Sequence, residues 1–145
     1  MKGIRQQCRE KSLILRANPM SRMKQQLYES EDLTRVIIEG MEDTKAKDII
    51  ILDLQDIDHA VTNYFVVCHG NSKPQLEAIA ESVVEKTLEE FGTKPWHKEG
   101  FENAEWILLD YIDVVVHIFR EDRRSFYQLE KLWADASITH HDYKE

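Results

Sequence analysis

Asn63-Tyr-Phe-Val-Val-Cys-His-Gly-Asn-Ser-Lys-Pro-Gln-Leu76 changes its periodicity halfway along. Its first part, Asn63–Cys68, is a short apolar run rich in aromatic and β-branched residues, as in a buried strand. Ser72-Lys-Pro-Gln75 is then a capping-box pattern with proline in the first helical turn. From there Leu76, Ile79, Ala80, Val83, Val84, Leu88 and Phe91 recur at helical spacing, and Gly92 stands where a C-terminal cap belongs. A strand that passes through one short turn into a long amphipathic helix indicates an α/β layer.

The flanks extend this pattern. Upstream, Ser30 is a good N-cap for a helix from about 31 to 44, with Leu33, Val36, Ile37, Gly40 and Met41 on one face. Asp48–Leu54 reads as a buried strand bounded by acids. Downstream, Lys94–Phe101 is polar and fits an edge strand. Trp106–Tyr111 and Asp113–Phe119 are apolar and almost contiguous, hence a hairpin. Asp122 is expected to cap a last helix carrying Phe126, Leu129, Leu132, Trp133 and Ala136 on one side. The predicted architecture is α/β, a mixed β-sheet flanked by helices.

The chain has 145 residues, 42% of them hydrophobic and 32% charged. That length suits one domain burying about 70% of its unfolded surface, without help from metals or disulfides. No apolar run approaches the roughly 20 residues of a membrane helix. Two cysteines, Cys8 and Cys68, make no disulfide framework, so a reducing compartment is expected. A net charge of −8 argues against a protein whose main task is gripping bare phosphate backbone.

The charge is unevenly distributed. Residues 1–24 carry seven basic side chains (Lys2, Arg5, Arg9, Lys11, Arg16, Arg22, Lys24) and one acid, Glu10. Residues 25–145 keep 12 basic and 26 acidic groups, a net of −14 against +6 for the head. A basic, acid-poor head is a transit peptide, a nucleic-acid arm, or an overcalled start with translation beginning at Met20 or Met23. Its apolar residues are bunched at Leu13–Leu15 without helical spacing, which favours a head outside the fold. The expected organisation is a basic extension at 1–28, a domain at 29–138 and a polar tail at 139–145.

Chemistry-bearing motifs are sparse. Cys68 and His69 are strand neighbours pointing to opposite faces, which precludes a thiol–imidazole dyad. The histidines (59, 69, 97, 117, 140, 141) show no metal-ligand spacing, and His140-His141 reads as a solvated tail. Gly70-Asn71-Ser72 sits at a strand–helix junction where backbone N–H groups could hold an anion. There is no Gly-x-Gly-x-x-Gly and no Walker sequence. Two-metal phosphoryl transfer needs paired acids on a later strand, whereas Asp56 and Asp58 precede the turn and Asp110 and Asp113 straddle a tight one. The turn therefore reads as a helix cap. No catalytic residue, metal or cofactor is expected.

A surface is what remains. Period two places Trp106, Leu108 and Asp110 on one face of their strand, and Asp113, Val115, His117 and Phe119 on the same face of the next. The uniformly apolar opposite face is expected under the helices. The mixed face, with Trp106, Asp110, Asp113 and His117, is expected to be less covered. Trp106 is then either an interface anchor or a partly buried ring shielding its own domain. His117 is either a pH-sensitive contact or a hydrogen-bonded structural histidine.

From about Leu33 to Asp135 the chain resembles the ribosomal silencing factor (Iojap/RsfS) family. The matching stretches are Lys47-Asp-Ile-Ile-Ile-Leu-Asp53, Tyr64-Phe-Val-Val67, Gly70-Asn-Ser72 with Gln75, Ala78-Ile-Ala80 and Glu99-Gly100. They continue with Trp106-Ile-Leu-Leu-Asp110, Asp113-Val-Val-Val-His117, Arg124, and Tyr127 to Trp133. The resemblance implies a nucleotidyltransferase-like fold without catalytic acids. It implies binding to large-subunit ribosomal protein fourteen on the large ribosomal subunit, a block on small-subunit joining, and a homodimer in the free state. Carried onto this chain, the implied partner-binding residues are Glu99, Gly100, Trp106, Asp110, Tyr111, Asp113, His117 and Arg124. A cytoplasmic, ribosome-associated protein is expected, or an organellar one if the head is a transit peptide. Three positions depart from the family habit: Asn63 for aspartate, Ile112 for glycine in the hairpin, and His69 for a small hydroxyl residue. The alternative function is a nucleotide-dependent enzyme using the Gly70–Ser72 turn.

Overall fold

The computed structural model describes residues 29–58 and 60–141. The basic head, His59 and residues 142–145 lie outside them. In chain order the elements are α1 (Ser30–Asp43), β1 (Lys47–Asp53), β2 (Tyr64–Gly70), α2 (Lys73–Phe91), β3 (His97–Glu99), β4 (Trp106–Asp110) and β5 (Val114–Arg120). Two short helices, α3 (Glu121–Tyr127) and α4 (Leu129–Leu132), and a strand β6 (Ser137–His140) complete the domain. The strands form one mixed sheet in the order β3-β4-β5-β2-β1-β6. β2 and β5 run parallel, and the other neighbouring pairs are antiparallel.

Alternation along each strand divides the sheet into two apolar faces. One buries Ile49, Val66, Cys68, Ile107, Leu109, Tyr111, Val116 and Ile118 against Leu33, Ile37, Leu76, Ile79 and Val83 of α1 and α2. These two helices approach until a Cβ on Gly40 would stand 2.9 Å from Val83 Cα. The glycine is required there by the helix crossing, and Ser82 Oγ donates to the Gly40 carbonyl at 2.8 Å across it. Helix α2 starts as its sequence indicates: Ser72 Oγ accepts from the Gln75 N–H, and Gly92 ends it at φ +63°.

The chain after β5 departs from expectation in three ways. A single helix capped by Asp122 is replaced by two short ones beginning at Glu121, because Gln128 enters the left-handed region at φ +46°. Asp122 instead holds Arg120, whose Nε and Nη2 donate to its carboxylate at 2.7 and 3.0 Å. Finally, residues 139 and 140, expected in a tail, belong to β6, which pairs with β1 and sets Ile138 opposite Leu52. Without β6, β1 would leave its ladder groups open on that side, and pairing satisfies them. His141 N–H donates to the Ile49 carbonyl at 2.9 Å, continuing the ladder.

Candidate functional site

Trp106, Leu108, Asp110, Val115, His117 and Phe119 share one face of the sheet, as their alternation requires. That face is not the open one expected. Leu129 and Trp133 close over Leu108, Val115, Phe119, Phe65 and Val67 to make a second core, with Trp106 and Tyr127 packed at its margin. Asp110 and His117 have no exposed surface. The break at Gln128 is the cause, since it turns α4 so that Leu129 and Trp133 drop onto the sheet while Phe126 and Leu132 face outward.

Trp106 is half-buried at the start of β4. Its indole Nε1–H donates to His117 Nδ1 at 2.9 Å. An indole nitrogen only donates, so Nδ1 is the acceptor and the imidazole is held as the neutral Nε2–H tautomer. His117 meets Phe65 edge-on at 4.5 Å, which makes it a structural histidine rather than a surface contact. Trp106 stacks on Phe119 at 5.1 Å and 22° and lies 5.1 Å from Tyr127. Of its two readings, shielding its own domain describes most of the ring, and one edge remains accessible.

Beyond that edge lies a strip the sequence reading missed. Phe126 is 68% exposed, with the Arg123 guanidinium 5.8 Å from its ring centre. Glu105 pairs with Arg123 at 3.3 Å and Arg120 at 3.8 Å beside Trp106. The periodicity of a continuous helix assigns Phe126 to the buried side, and no local signal marks Gln128 as a breaker. Phe126, Tyr127 and Trp106 with these charges form an aromatic surface rimmed by ion pairs, the composition of a protein-contact patch.

The remaining expected residues divide between two ends of the sheet. At the hairpin, Asp110 Oδ1 accepts the Ile112 N–H at 2.7 Å, and Asp113 N–H bonds back to the Tyr111 carbonyl at 3.1 Å. Ile112 sits at φ +80°, so it adopts the positive φ that a glycine would supply, in a γ-turn. Tyr111 is buried on the α1–α2 side, its hydroxyl 2.8 Å from Thr87 Oγ1. Asp113 accepts from Ser30 Oγ at 3.4 Å, and Asn63 Nδ2 donates to the same Ser30 hydroxyl at 3.1 Å. Asn63 thus ties the start of β2 to α1 and the hairpin.

Arg124, Glu99 and Gly100 lie elsewhere. At the opposite end from the hairpin, Trp106, Phe119 and His69 stand in one register row across β4, β5 and β2. Arg124, with little exposed surface, donates from Nη1 to His69 Nδ1 at 2.9 Å and pairs with Glu130 at 3.4 Å. On edge strand β3, Glu99 bonds His97 Nε2 at 2.7 Å, and Gly100 follows at φ +90°.

His69 is held below the usual histidine range, first by burial and then by the Arg124 charge. Asp48 and Glu121 oppose that shift, and Lys47 adds to it. The unfolded chain therefore takes up this proton at higher pH than the folded one. The resulting stabilisation is complete above the unfolded value of about 6.5 and falls away as pH drops below it toward the folded pKa. Thermal melts of the wild type should lose midpoint across that window, and His69→Gln should flatten the loss. Parallel profiles would show that another group controls it.

The Cys68 thiol and the Gly70–Ser72 turn are both engaged within the fold. Burial pushes the Cys68 thiol up to about 12. It lies in the α1–α2 core, away from His69. The native protein should leave Cys68 unmodified by iodoacetamide at pH 8, whereas the denatured chain is alkylated, as a mass spectrum after digestion would show. In the Gly70–Ser72 turn, Asn71 N–H already donates to Gln75 Oε1 at 2.8 Å, and Gln75 Nε2 donates to the Lys45 carbonyl. An anion there would have to displace the helix's own cap. Among the described residues no three or more His, Cys, Asp or Glu side chains group as a metal site. In the same residues no helix is long and apolar enough to cross a membrane.

Comparison with known proteins identifies the family and supports the fold. The sequence profile of the family described as "Ribosomal silencing factor during starvation" matches residues 28–145. The chain is 41% identical over 113 residues to the ribosomal silencing factor of Bacillus subtilis, covering 78% of this chain and 94% of that one. A crystal structure of a Chromobacterium violaceum protein superposes with a TM-score of 0.69 at 38% identity, covering 74% of this chain and 88% of that one. A Bacillus halodurans structure gives 0.65 at 34% identity, over 79% of this chain and 100% of that one. The mixed sheet, its two covered faces and these similarities together make the chain a member of the ribosomal silencing factor (Iojap/RsfS) family.

Proposed function

We propose that this protein represses translation by docking on the large ribosomal subunit, through large-subunit ribosomal protein fourteen, and sterically preventing small-subunit joining. The observation that carries the reading is the family match across the whole described domain. In that domain a half-exposed tryptophan is fixed by His117 and flanked by charged side chains. The contact residues in this reading are the exposed parts of Trp106, Glu99, Gly100, Asp113 and Arg124. Asp110, Tyr111 and His117 act beneath them by holding the hairpin and the indole. Ribosomal proteins as a class are basic, so the acidic domain is steered toward one and repelled by the surrounding RNA. The free protein is a homodimer in this reading and acts on ribosomes of the cytoplasm, unless the basic head directs it to an organelle.

Sucrose-gradient co-sedimentation with isolated subunits, followed by a subunit-joining assay, tests the proposal. The protein should travel with the large subunit and lower the yield of joined ribosomes. Sedimentation as free protein with normal joining would overturn it. Trp106→Ala should weaken capture by the purified ribosomal protein by about 2 kcal/mol if the indole is an anchor. Trp106→Phe keeps ring stacking and separates lost packing from lost contact. Circular dichroism of both variants establishes that the folded fraction is what binds.

A further inference from the structure

A groove of about 510 Å³ runs beside α1, between that helix and strands β1 and β6, away from the Trp106 strip. Ile38 and Ile51 contribute apolar surface to it, while Glu31, Glu39, Glu42 and Asp53 line it with carboxylates. Arg35 offsets part of this charge by pairing with Glu39 at 3.2 Å. His141 bonds Glu42 at 2.8 Å. Apart from that imidazole, the lining has four acids against one base. The Tyr64 hydroxyl within it responds to that potential: burial raises its pKa most, and the charges of Asp53 and Glu31 raise it further.

The geometry points to this groove as the docking site of the chain's own basic head, specifically residues 16–28. The segment ends two residues before α1 begins at Ser30, and Glu31 lines the near end of the groove. From Glu31 to Glu42 the helix rises about 16 Å, a span that five or so extended residues can follow after reversing direction at its start. Residues 16–28 contain Arg16, Arg22 and Lys24 and no acid, against the acidic lining. Met20, Met23 and Leu27 lie among them, and methionine adapts to irregular apolar surface such as that of Ile38 and Ile51. The other chain end fits less well. Residues 142–145 continue from the His141 end of the groove, but they carry Asp142 and Glu145 against Lys144. The family profile begins at residue 28, so the occupant belongs to this chain's own extension.

Paramagnetic labelling of the full chain tests the contact independently of ribosome binding. In a Cys8→Ser, Ser21→Cys protein a nitroxide attaches at position 21, because burial and a thiol pKa of about 12 keep Cys68 unreactive. The expected result is loss of amide signal at Thr34, Ile38, Ile51 and Thr139, with Lys131 and Ala134 unaffected. Raising salt to 1 M contracts the Debye length to about 3 Å and should restore the signals. Glu39→Lys with Glu42→Lys should restore them at low salt. Equal loss at Lys131 and Ala134, or no loss at the groove, would overturn the proposal. Signal loss seen only after mixing labelled and isotope-enriched copies would place the head on a second molecule instead. Groove amides that shift only on removal of 142–145 would give the site to the C-terminal tail.

Discussion

Trp133→Ala should lower the stability of the folded domain by about 3–5 kcal/mol, the range for removing a fully buried large aromatic ring. Trp133 is among the largest completely buried side chains and meets Phe65 edge-on at 5.4 Å. Deleting the indole leaves a cavity in the second core that Leu129 alone cannot fill, because α4 is a single turn between a left-handed residue and β6. The consequence reaches the candidate contact strip. Tyr127 and Phe126 take their positions from α3, which leans on the same core, so loosening Trp133 frees both. Chemical denaturation gives the stability change. Amide exchange should show α3, α4 and β6 losing protection more than α1 and α2. A loss below about 1 kcal/mol would mean that the C-terminal helices contribute little to the fold.

Gly100→Ala should cost about 3 kcal/mol or more, from two separate sources. At φ +90° an L-residue is strained. In addition, a Cβ built there would stand 1.9 Å from the Trp106 carbonyl oxygen and 2.9 Å from its carbon. Both obstructing atoms are backbone, so no rotamer change relieves the clash. The β3–β4 connection or the start of β4 must move, and Trp106 moves with it. The variant should therefore lose stability and also lengthen or break the Trp106–His117 hydrogen bond. That bond can be followed through the indole N–H resonance. Retention of both the midpoint and that resonance would show that the connection is more yielding than its geometry indicates.

Some of this was legible in the chain before folding was considered. Ser72-Lys-Pro-Gln75 and Gly92 set the limits of α2 because caps and left-handed stops are local chemistry. The alternation of Trp106, Leu108 and Asp110 with Ile107, Leu109 and Tyr111 gave the correct faces because the pleat has a fixed period. The family resemblance, carried by stretches such as Trp106-Ile-Leu-Leu-Asp110, matched the later comparisons. That both faces of the sheet are covered was not legible. The apolar residues of 126–136 fit one continuous helical stripe equally well, and neither proline nor glycine marks the break at Gln128. β6 escaped for a related reason: Ser-Ile-Thr-His has one apolar residue, and its pairing is dictated by the unfilled edge of β1 rather than by its own composition.

The three departures from family habit separate the two kinds of information further. Ile112 in place of glycine signals a strained turn in sequence, but only the fold shows Asp110 accepting its N–H and the buried hairpin holding it at positive φ. Asn63 and His69 are unremarkable by type, and acquire roles through Ser30 and Arg124, which lie 33 and 55 positions away along the chain. The net charge behaves likewise. Composition fixes −14 for residues 25–145 and +6 for the head. Helical spacing sets Glu31, Glu39 and Glu42 along one side of α1, and the tertiary structure brings Asp53 to the same groove.

By itself, then, the sequence determined the mixed α/β architecture, its strand faces, the limits of α2 and the family, since all of these depend on local periodicity and on residues read in order. The tertiary structure decided which of those residues a partner can touch. It buried Asp110, Tyr111 and His117, left an edge of Trp106, and brought out Phe126. Exposure depends on what distant segments cover: α1 and α2 lie over Tyr111, while the left-handed residue at Gln128 directs the segment that lies over the face carrying His117.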